Sequence, residues 1–146
     1  MTLVHAQGTP PDRLCPIPSG HRVTRARLRH LVNSERLVVT RQDSCLGVAA
    51  YQASESQVRV VHDLLVDRRL SPKDAGSVVE MLLAGLEFAA RSECVTCLVV
   101  LIEGDVSPEP FIRCGYTALL ADAAGAWLQK KLDWSVRLMP CSRRVH

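Results

Sequence analysis

The chain has 146 residues and a formal net charge of +3, and 47% of its residues are hydrophobic while 23% are charged. This balance predicts one globular domain with enough chain to bury a core, and it excludes an intrinsically disordered chain. Aromatic residues make up only 4% of the sequence, which argues against a stacking platform for single-stranded nucleic acid. The mild positive charge is compatible with an anionic ligand, and we predict no nucleic-acid partner.

Neither a membrane anchor nor a metal site is predicted. No apolar run reaches membrane-spanning length, and the N-terminal stretch lacks the basic start and apolar core of a secretory signal, so we expect a cytoplasmic protein. Its six cysteines are then expected to be reduced and partly buried. Cys94 and Cys97 have the spacing of a metal or redox pair, but no second pair accompanies them, so core packing is favoured.

The first third of the chain predicts an irregular segment, a helix and the start of a sheet. Residues 1–20 are rich in proline and polar residues without a period, which predicts an irregular lead segment. A helix is predicted over residues 21–36, and it carries arginines at positions 22, 25, 27 and 29. These arginines allow an RNA contact, but we favour a solvated helix face. Strands are predicted over residues 37–40 and 46–51, separated by a turn.

The central stretch predicts a strand, a basic turn, a helix and a second strand. Residues 58–67 and 95–102 are short β-branched apolar runs, as expected of buried strands. Between them, residues 72–91 carry one continuous apolar stripe at helical spacing. The turn before this helix is rich in Arg and Lys. Because backbone N–H groups and the helix dipole meet at a helix N-terminus, this turn is predicted to bind an anion such as phosphate.

The last third predicts a short helix bracketed by Pro110 and Gly115, then a hairpin of residues 116–121 and 126–132. Residues 135–146 show no clear period and are predicted to form an irregular tail. The whole order predicts an α/β (α+β) domain over residues 21–134, with a mixed, mostly antiparallel central sheet and helices on both faces.

This order of elements resembles the GNAT N-acetyltransferase superfamily over roughly residues 20–133. Three stretches carry the resemblance: VVHDLLV, RRLSPKDAGSVVEMLL and FIRCGY. The resemblance implies a GNAT-like acyl-CoA N-acyltransferase fold. It also implies an N-acetyltransferase that transfers an acetyl group from acetyl-coenzyme A to an amine of an unidentified acceptor.

In that family the turn reads Gln/Arg-x-x-Gly-x-Gly/Ala, and its amides hold the cofactor's pyrophosphate. Aligned on Gly76, this chain has Ser71 in place of the Gln or Arg and Asp74 in place of the first Gly. Ser71 and Pro72 are also typical of a helix N-cap, which is compatible with phosphate binding. The resemblance implies that the cofactor contacts Leu64, Leu65, Val66, Arg68, Arg69, Lys73, Asp74, Ala75, Gly76, Ser77, Val78 and Phe111.

The strand before the turn supplies the general base in many family members. The resemblance places His62 there, and an imidazole titrates near neutral pH, which suits removal of a proton from an amine. A histidine bonded within the sheet is the equally weighted alternative. By strand alternation His62 is expected to share a face with Leu64 and Val66, whereas Asp63 points to the other face. The sheet is expected to splay between the strands at 58–67 and 95–102, with amides near Leu64 and Leu65 polarising the thioester.

Two departures from the family pattern leave alternatives open. The tyrosine that protonates the leaving thiolate in many members corresponds to Phe111, which has no hydroxyl. The family's first strand and one of its early helices are missing from the predicted elements, which is our reason to expect a homodimer. A catalytically weak or inactive acyl-coenzyme A binding domain of the same fold is therefore the alternative function, and an interaction module without a nucleotide is a third.

Overall fold

The computed structural model describes residues 1–6, 17–52, 56–104 and 106–133. Within these ranges eight strands and three helices follow one another. In chain order they are β1 (Thr2–Ala6), α1 (Arg25–Asn33), β2 (Glu35–Arg41), β3 (Ser44–Tyr51), β4 (Val58–Val61), β5 (Asp63–Val66), α2 (Pro72–Ser92), β6 (Cys97–Ile102), α3 (Glu109–Arg113), β7 (Thr117–Asp122) and β8 (Gly125–Lys131).

The described strands form two sheets of four. The first has the order β1-β2-β3-β5 and the second has the order β4-β6-β8-β7. Every neighbouring pair is antiparallel except β4 and β6, which run parallel. The predicted α+β class with mixed, mostly antiparallel strands is confirmed, and the expected central sheet is divided into two.

The chain begins with a strand that the sequence did not predict. β1 pairs with β2 from Thr2 opposite Thr40 to Ala6 opposite Arg36, so the prediction of an irregular lead segment is wrong for residues 2–6. Most of β1 is exposed, and it therefore lacks the apolar alternation that marks a half-buried strand. Backbone pairing along the edge of β2 forms this strand. Residues 7–16 of the lead segment and the predicted tail over 135–146 lie outside the described residues.

α1 is shorter than predicted because polar residues end it on both sides. Thr24 caps its start, since the Thr24 hydroxyl accepts a hydrogen bond from the Arg27 amide at 3.1 Å. Ser34 closes its end in an extended conformation, with its amide bonded to the Leu31 carbonyl. The prediction of a helix over 21–36 is therefore wrong at both boundaries, and β2 starts at Glu35.

α2 provides most of the core, as its apolar stripe predicts. Its apolar stripe is buried, namely Val78, Val79, Leu82, Leu83, Leu86 and Ala90. The helix packs against β1, β2, β3 and β5. A methyl group built on Gly47 of β3 would lie 2.5 Å from Cγ1 of Val78, so glycine is what allows this close approach. The helix is thereby fixed against the first sheet, with its N-terminus at the end of β5.

Two further expectations concern membrane-spanning helices and the cysteines. No helix among the described residues is both long and apolar enough to span a bilayer. Cys94 is disulfide-bonded, so the expectation that all the cysteines are reduced is wrong at this position. Cys45, Cys97 and Cys114 form no disulfide bond.

Candidate functional site

The predicted strand over 58–67 is broken at His62, and the break separates the two sheets. Before it, β4 pairs in parallel with β6, from Val58 opposite Cys97 to Val61 opposite Val100. After it, β5 pairs with β3 instead, from Asp63 opposite Ala50 to Val66 opposite Gly47. β6 continues without a hydrogen-bonded ladder to β5. A wedge therefore opens between β5 and β6, as the resemblance implied.

The free edge of β5 presents backbone groups to this wedge. The Asp67 amide donates to the Leu46 carbonyl of the β3 strand at 2.8 Å. This bond shows which residues of β5 direct their backbone groups towards β3. Because hydrogen-bonding direction alternates along an antiparallel strand, Asp63 and Leu65 also face β3. The N–H and C=O groups of Leu64 and Val66 then face away from β3. Of the two amides expected to polarise a thioester, that of Leu64 faces away from β3 and that of Leu65 faces β3.

Part of this edge is covered by the chain just before α1. The His21 Nε2 atom lies 2.7 Å from the Val66 carbonyl oxygen. The Arg68 amide donates to the Ser19 carbonyl at 3.2 Å. Gly20, between Ser19 and His21, has a φ of +88°. A Cβ built on Gly20 would lie 2.8 Å from the Cβ of Arg68. Residues 19–21 thus lie along the last part of the β5 edge, where only glycine fits at the middle position.

A cavity of about 780 Å³ lies at the wide end of the wedge. Its walls come from residues 66–70 after β5, from the first turns of α2 and from residues 106–113, which include α3. The predicted cofactor residues on its walls are Val66, Arg68, Lys73, Ala75, Gly76 and Ser77. Asp74 does not line the cavity and does not plug it. The cavity is large enough for part of an extended ligand.

The other predicted cofactor residues lie elsewhere. Leu64, Leu65, Val78 and Phe111 are each at most 1% exposed, so their side chains are buried. Arg69 bonds to the Asp67 carboxylate, with Nη2 of Arg69 3.1 Å from Oδ2. The side-chain hydrogen bond from Arg69 holds the pKa of Asp67 below its usual value. This pair fixes the turn that leads into α2.

The start of α2 offers fewer free amides than the sequence predicted. Ser71 caps the helix, and its hydroxyl accepts from the Asp74 amide at 3.2 Å. The Ala75 amide donates to the Ser71 carbonyl at 2.8 Å, and the following amides belong to the helical ladder. Because Pro72 has no N–H, Lys73 carries the remaining amide of the first turn. Among the amides at this helix start, those of Asp74 and Ala75 are therefore engaged within the helix, and that of Lys73 is not.

Sequence reasoning missed Arg113, which lies across the cavity from α2. The Nη2 atom of Arg113 lies 2.8 Å from Oε2 of Glu80. The same atom lies 3.5 Å from a Cβ built on Gly76. Arg68 and Lys73 are the other basic side chains of the cavity. Asp67, Glu80 and Glu109 line it as well, so basic and acidic groups are equal in number. The signal was the basic residue within FIRCGY, although nothing in the sequence shows that this segment faces α2.

The site has no phenol at the position of the family's tyrosine. Phe111 packs edge-on against Tyr116, with ring centroids 6.1 Å apart. The Tyr116 hydroxyl donates to Oε2 of Glu87 at 3.2 Å, and burial raises the pKa of this phenol strongly. Tyr116 is 1% exposed, so it belongs to the core and does not reach the cavity.

His62 lies at the break itself and is exposed. Its ring meets Trp127 edge-on, with centroids 5.5 Å apart. Val61 and Leu64 both join the core, although they are three residues apart, so the chain contains one extra residue here. His62 and Asp63 therefore share a face, opposite Leu64 and Val66. The predicted assignment of faces is wrong because the break reverses the alternation.

His62 lines a second, smaller pocket of about 190 Å³. Its polar walls are His30, Gln52, Asp63 and His62, and Val58 and Val60 are apolar. The large cavity reaches Val66 and the small pocket reaches Asp63. These two openings share no lining residue. About 10 Å of strand separates Asp63 from Val66, so a ligand that used both would have to follow the β5 edge.

Charged side chains meet where the wedge begins. Nε of Arg27 on α1 donates to Oδ1 of Asp63 at 2.9 Å, and Nη2 of Arg27 donates to Oε1 of Glu103 at 2.7 Å. Burial lowers the pKa of Arg27, but these two hydrogen bonds outweigh it and the pKa is raised overall. The prediction of a solvated helix face is therefore wrong for Arg27. In the described part of the chain, no cluster of His, Cys, Asp or Glu could hold a metal.

Comparisons with known proteins agree on the fold. No family model and no curated protein matches this sequence. Among solved structures, PaiA N-acetyltransferase from Thermoplasma acidophilum, in complex with coenzyme A, aligns with a TM-score of 0.53 and 12% identity over 66% of this chain. N-acetylglutamate synthase from Neisseria gonorrhoeae, complexed with coenzyme A and N-acetyl-glutamate, aligns with a TM-score of 0.61 and 17% identity over 91% of this chain. These matches span 59% and 36% of the two neighbours' own chains.

A third neighbour matches over its whole length. A proposed acetyltransferase of the GNAT family from Desulfovibrio desulfuricans aligns with a TM-score of 0.62 and 15% identity, over 90% of this chain and 100% of its own. The described part of this chain has the acyl-coenzyme A N-acyltransferase fold of the GNAT superfamily.

Proposed function

We propose that the chain is an N-acetyltransferase that uses acetyl-coenzyme A to acetylate an amine. The observation that carries this proposal is the wedge between β5 and β6, with the 780 Å³ cavity at its wide end. A ligand with a charged head and a long arm fits this arrangement. Arg68, Lys73 and Arg113 on the cavity wall offer donors to phosphate oxygens, although Glu80 and Glu109 already pair with Arg113. The β5 edge offers free backbone groups at Leu64. The acetyl form of the cofactor, a homodimer and a cytoplasmic location remain predictions.

In this proposal the cavity holds the charged end of coenzyme A. Lys73 contributes its amide and side chain, and Arg68 and Arg113 contribute guanidinium groups that suit phosphate oxygens. Gly76 leaves space in the cavity, because a methyl group there would already touch Arg113 and Pro110. Val66 presents its carbonyl along the path of the arm, where His21 now binds it. The residues present therefore fit the cofactor.

The acyl group would be transferred near Leu64. Acetyl-coenzyme A supplies a thioester, whose carbonyl carbon is attacked by an amine. The Leu64 amide donates to the oxygen on which negative charge develops. His62 accepts the proton that the amine loses, directly or through water. Phe111 cannot donate a proton to the departing thiolate, so water would supply it.

A specific observation also favours the second candidate, an acyl-coenzyme A binding domain without efficient turnover. Ser71 and Pro72 leave only one free amide in the first turn of α2, and Phe111 stands where a general acid is expected. General acid assistance contributes about 10²–10⁴-fold to a rate. Its loss would slow the reaction without affecting the affinity for coenzyme A.

The two candidates are separated by measuring binding and turnover on the same sample. Calorimetric titration with acetyl-coenzyme A is expected to show one saturable site, and release of free thiol in the presence of a panel of primary amines is expected to exceed the amine-free rate. Binding without thiol release selects the second candidate. Absence of binding contradicts both.

A substitution at Gly76 tests whether acetyl-coenzyme A binds in the cavity. Gly76→Leu places a larger side chain on the cavity wall beside Pro110 and Arg113. Leucine is the better helix former, so α2 should remain folded. We expect this variant to keep its thermal midpoint and to lose acetyl-coenzyme A binding. Undiminished binding would show that the ligand does not use this cavity.

A further inference from the structure

Arg27 joins the two arms of the wedge on the face that α1 covers. Asp63 begins β5, and Glu103 follows the end of β6. The Arg27 guanidinium bonds to one carboxylate on each arm, at 2.9 and 2.7 Å. Arg27 is therefore a bridge between two strands that no backbone ladder connects at this point.

Asp63 is the buried end of this bridge. Its side chain is 7% exposed, whereas those of Arg27 and Glu103 are 29% and 31% exposed. His30 also approaches Asp63, with Nε2 at 3.7 Å from Oδ2. A carboxylate this buried needs its partners, because an unpaired buried charge is costly. Asp63 is consequently fixed from the α1 side.

The peptide that Asp63 shares with Leu64 carries the Leu64 N–H. Fixing the Asp63 side chain restricts this peptide, and fixing Glu103 restricts the opposite arm. The β3 ladder holds this peptide through the Asp63 carbonyl. The guanidinium adds a second restraint on the direction of the Leu64 N–H, and it also restrains the width of the wedge beside it. Preorganised donors act on developing charge only when their direction is held before the reaction.

We propose that Arg27 is a positioning residue for acyl transfer, which rests on the function proposed above. Arg27 does not touch the reacting atoms. Through Asp63 it holds the Leu64 amide towards the thioester oxygen, and through Glu103 it sets the separation of the arms. The fork of the guanidinium suits this role, because Nε and Nη2 serve two carboxylates at once.

Three variants test the proposal by kinetics. Arg27→Ala is expected to lower kcat by about 100-fold, as a small misplacement at a reacting centre can, while the Kd for acetyl-coenzyme A stays unchanged. Arg27→Lys can reach at most one carboxylate well and is expected to give an intermediate kcat. Arg29→Ala removes an exposed arginine from the same helix and is expected to behave as the wild type. Equal losses in Arg27→Ala and Arg29→Ala, or a wild-type kcat in Arg27→Ala, would overturn the proposal.

A second readout does not depend on activity. The NMR order parameter of the Leu64 N–H, which reports how tightly its direction is held, is expected to fall in Arg27→Ala and Arg27→Lys and to stay unchanged in Arg29→Ala. If the wild type fails to bind acetyl-coenzyme A, the proposed function falls while this measurement still decides whether Arg27 fixes the Leu64 peptide. Should Arg27→Ala fail to fold, Arg27→Lys carries both measurements. An unchanged Leu64 order parameter in the folded Arg27 variants would refute the positioning role.

Discussion

His62 occupies the break between β4 and β5, and this break gives its imidazole access to solvent. The sequence pointed to His62 through the resemblance to GNAT enzymes, in which the strand before the turn often supplies the general base. It could not show the extra residue at this point, so the predicted faces of His62 and Asp63 were wrong. Arg27 shows the same limit. Nothing in the pattern of α1 distinguishes it from the exposed Arg25 and Arg29, since its carboxylate partners are 36 and 76 residues away.

We predict that His62→Ala lowers kcat by about 10²–10⁴-fold, the usual contribution of a general base, without changing the Kd for acetyl-coenzyme A. Steady-state kinetics and calorimetry on one preparation test this. His62→Phe is the matched control, because phenylalanine retains a ring against Trp127 but accepts no proton. It should be as slow as His62→Ala. Recovery of turnover in His62→Phe would show that the ring contact with Trp127 matters and that proton transfer at this position does not.

The elements that the sequence predicted well are those with a strong apolar period. α2 was predicted over 72–91 and runs from Pro72 to Ser92, because its buried stripe, its N-cap and Pro72 all indicate the same helix. The same cap removes amides that a phosphate site would use, and the sequence alone could not weigh one role against the other. β1 was missed because its pairing with β2 uses backbone groups, which leave no pattern in the side chains.

The contact between β3 and α2 gives a prediction at this scale. Gly47→Ala adds a methyl group that would meet Cγ1 of Val78 at 2.5 Å and the Leu65 carbonyl oxygen at 3.3 Å. Because overpacking a core forces side chains and backbone to shift, we expect the free energy of unfolding to fall by about 1–3 kcal/mol. Chemical denaturation measures this. The control is Gly104→Ala, where a built Cβ has no atom within 4 Å. Equal stabilities of the two variants would show that α2 and β3 are not in close contact.

At the scale of the whole molecule, the central feature is that two consecutive strands, β4 and β5, belong to different sheets. β4 and β5 form one continuous stretch in the sequence, and their different partners, β6 and β3, depend on long-range pairing. The resemblance to GNAT enzymes supplied the expected splay, whereas composition and periodicity supplied only the order of elements. The large cavity follows from the same separation, because β5, α2 and α3 meet at its wide end.

The central claim is that acetyl-coenzyme A lies along the free edge of β5 with its charged end at the start of α2. Hydrogen exchange measured by NMR with and without saturating acetyl-coenzyme A tests this claim residue by residue. We predict slower exchange at the Leu64, Val66 and Lys73 amides, and no change at the Leu120 amide in β7, on the far edge of the second sheet. Saturable binding that protects amides elsewhere and leaves Leu64 and Val66 unchanged would contradict the account.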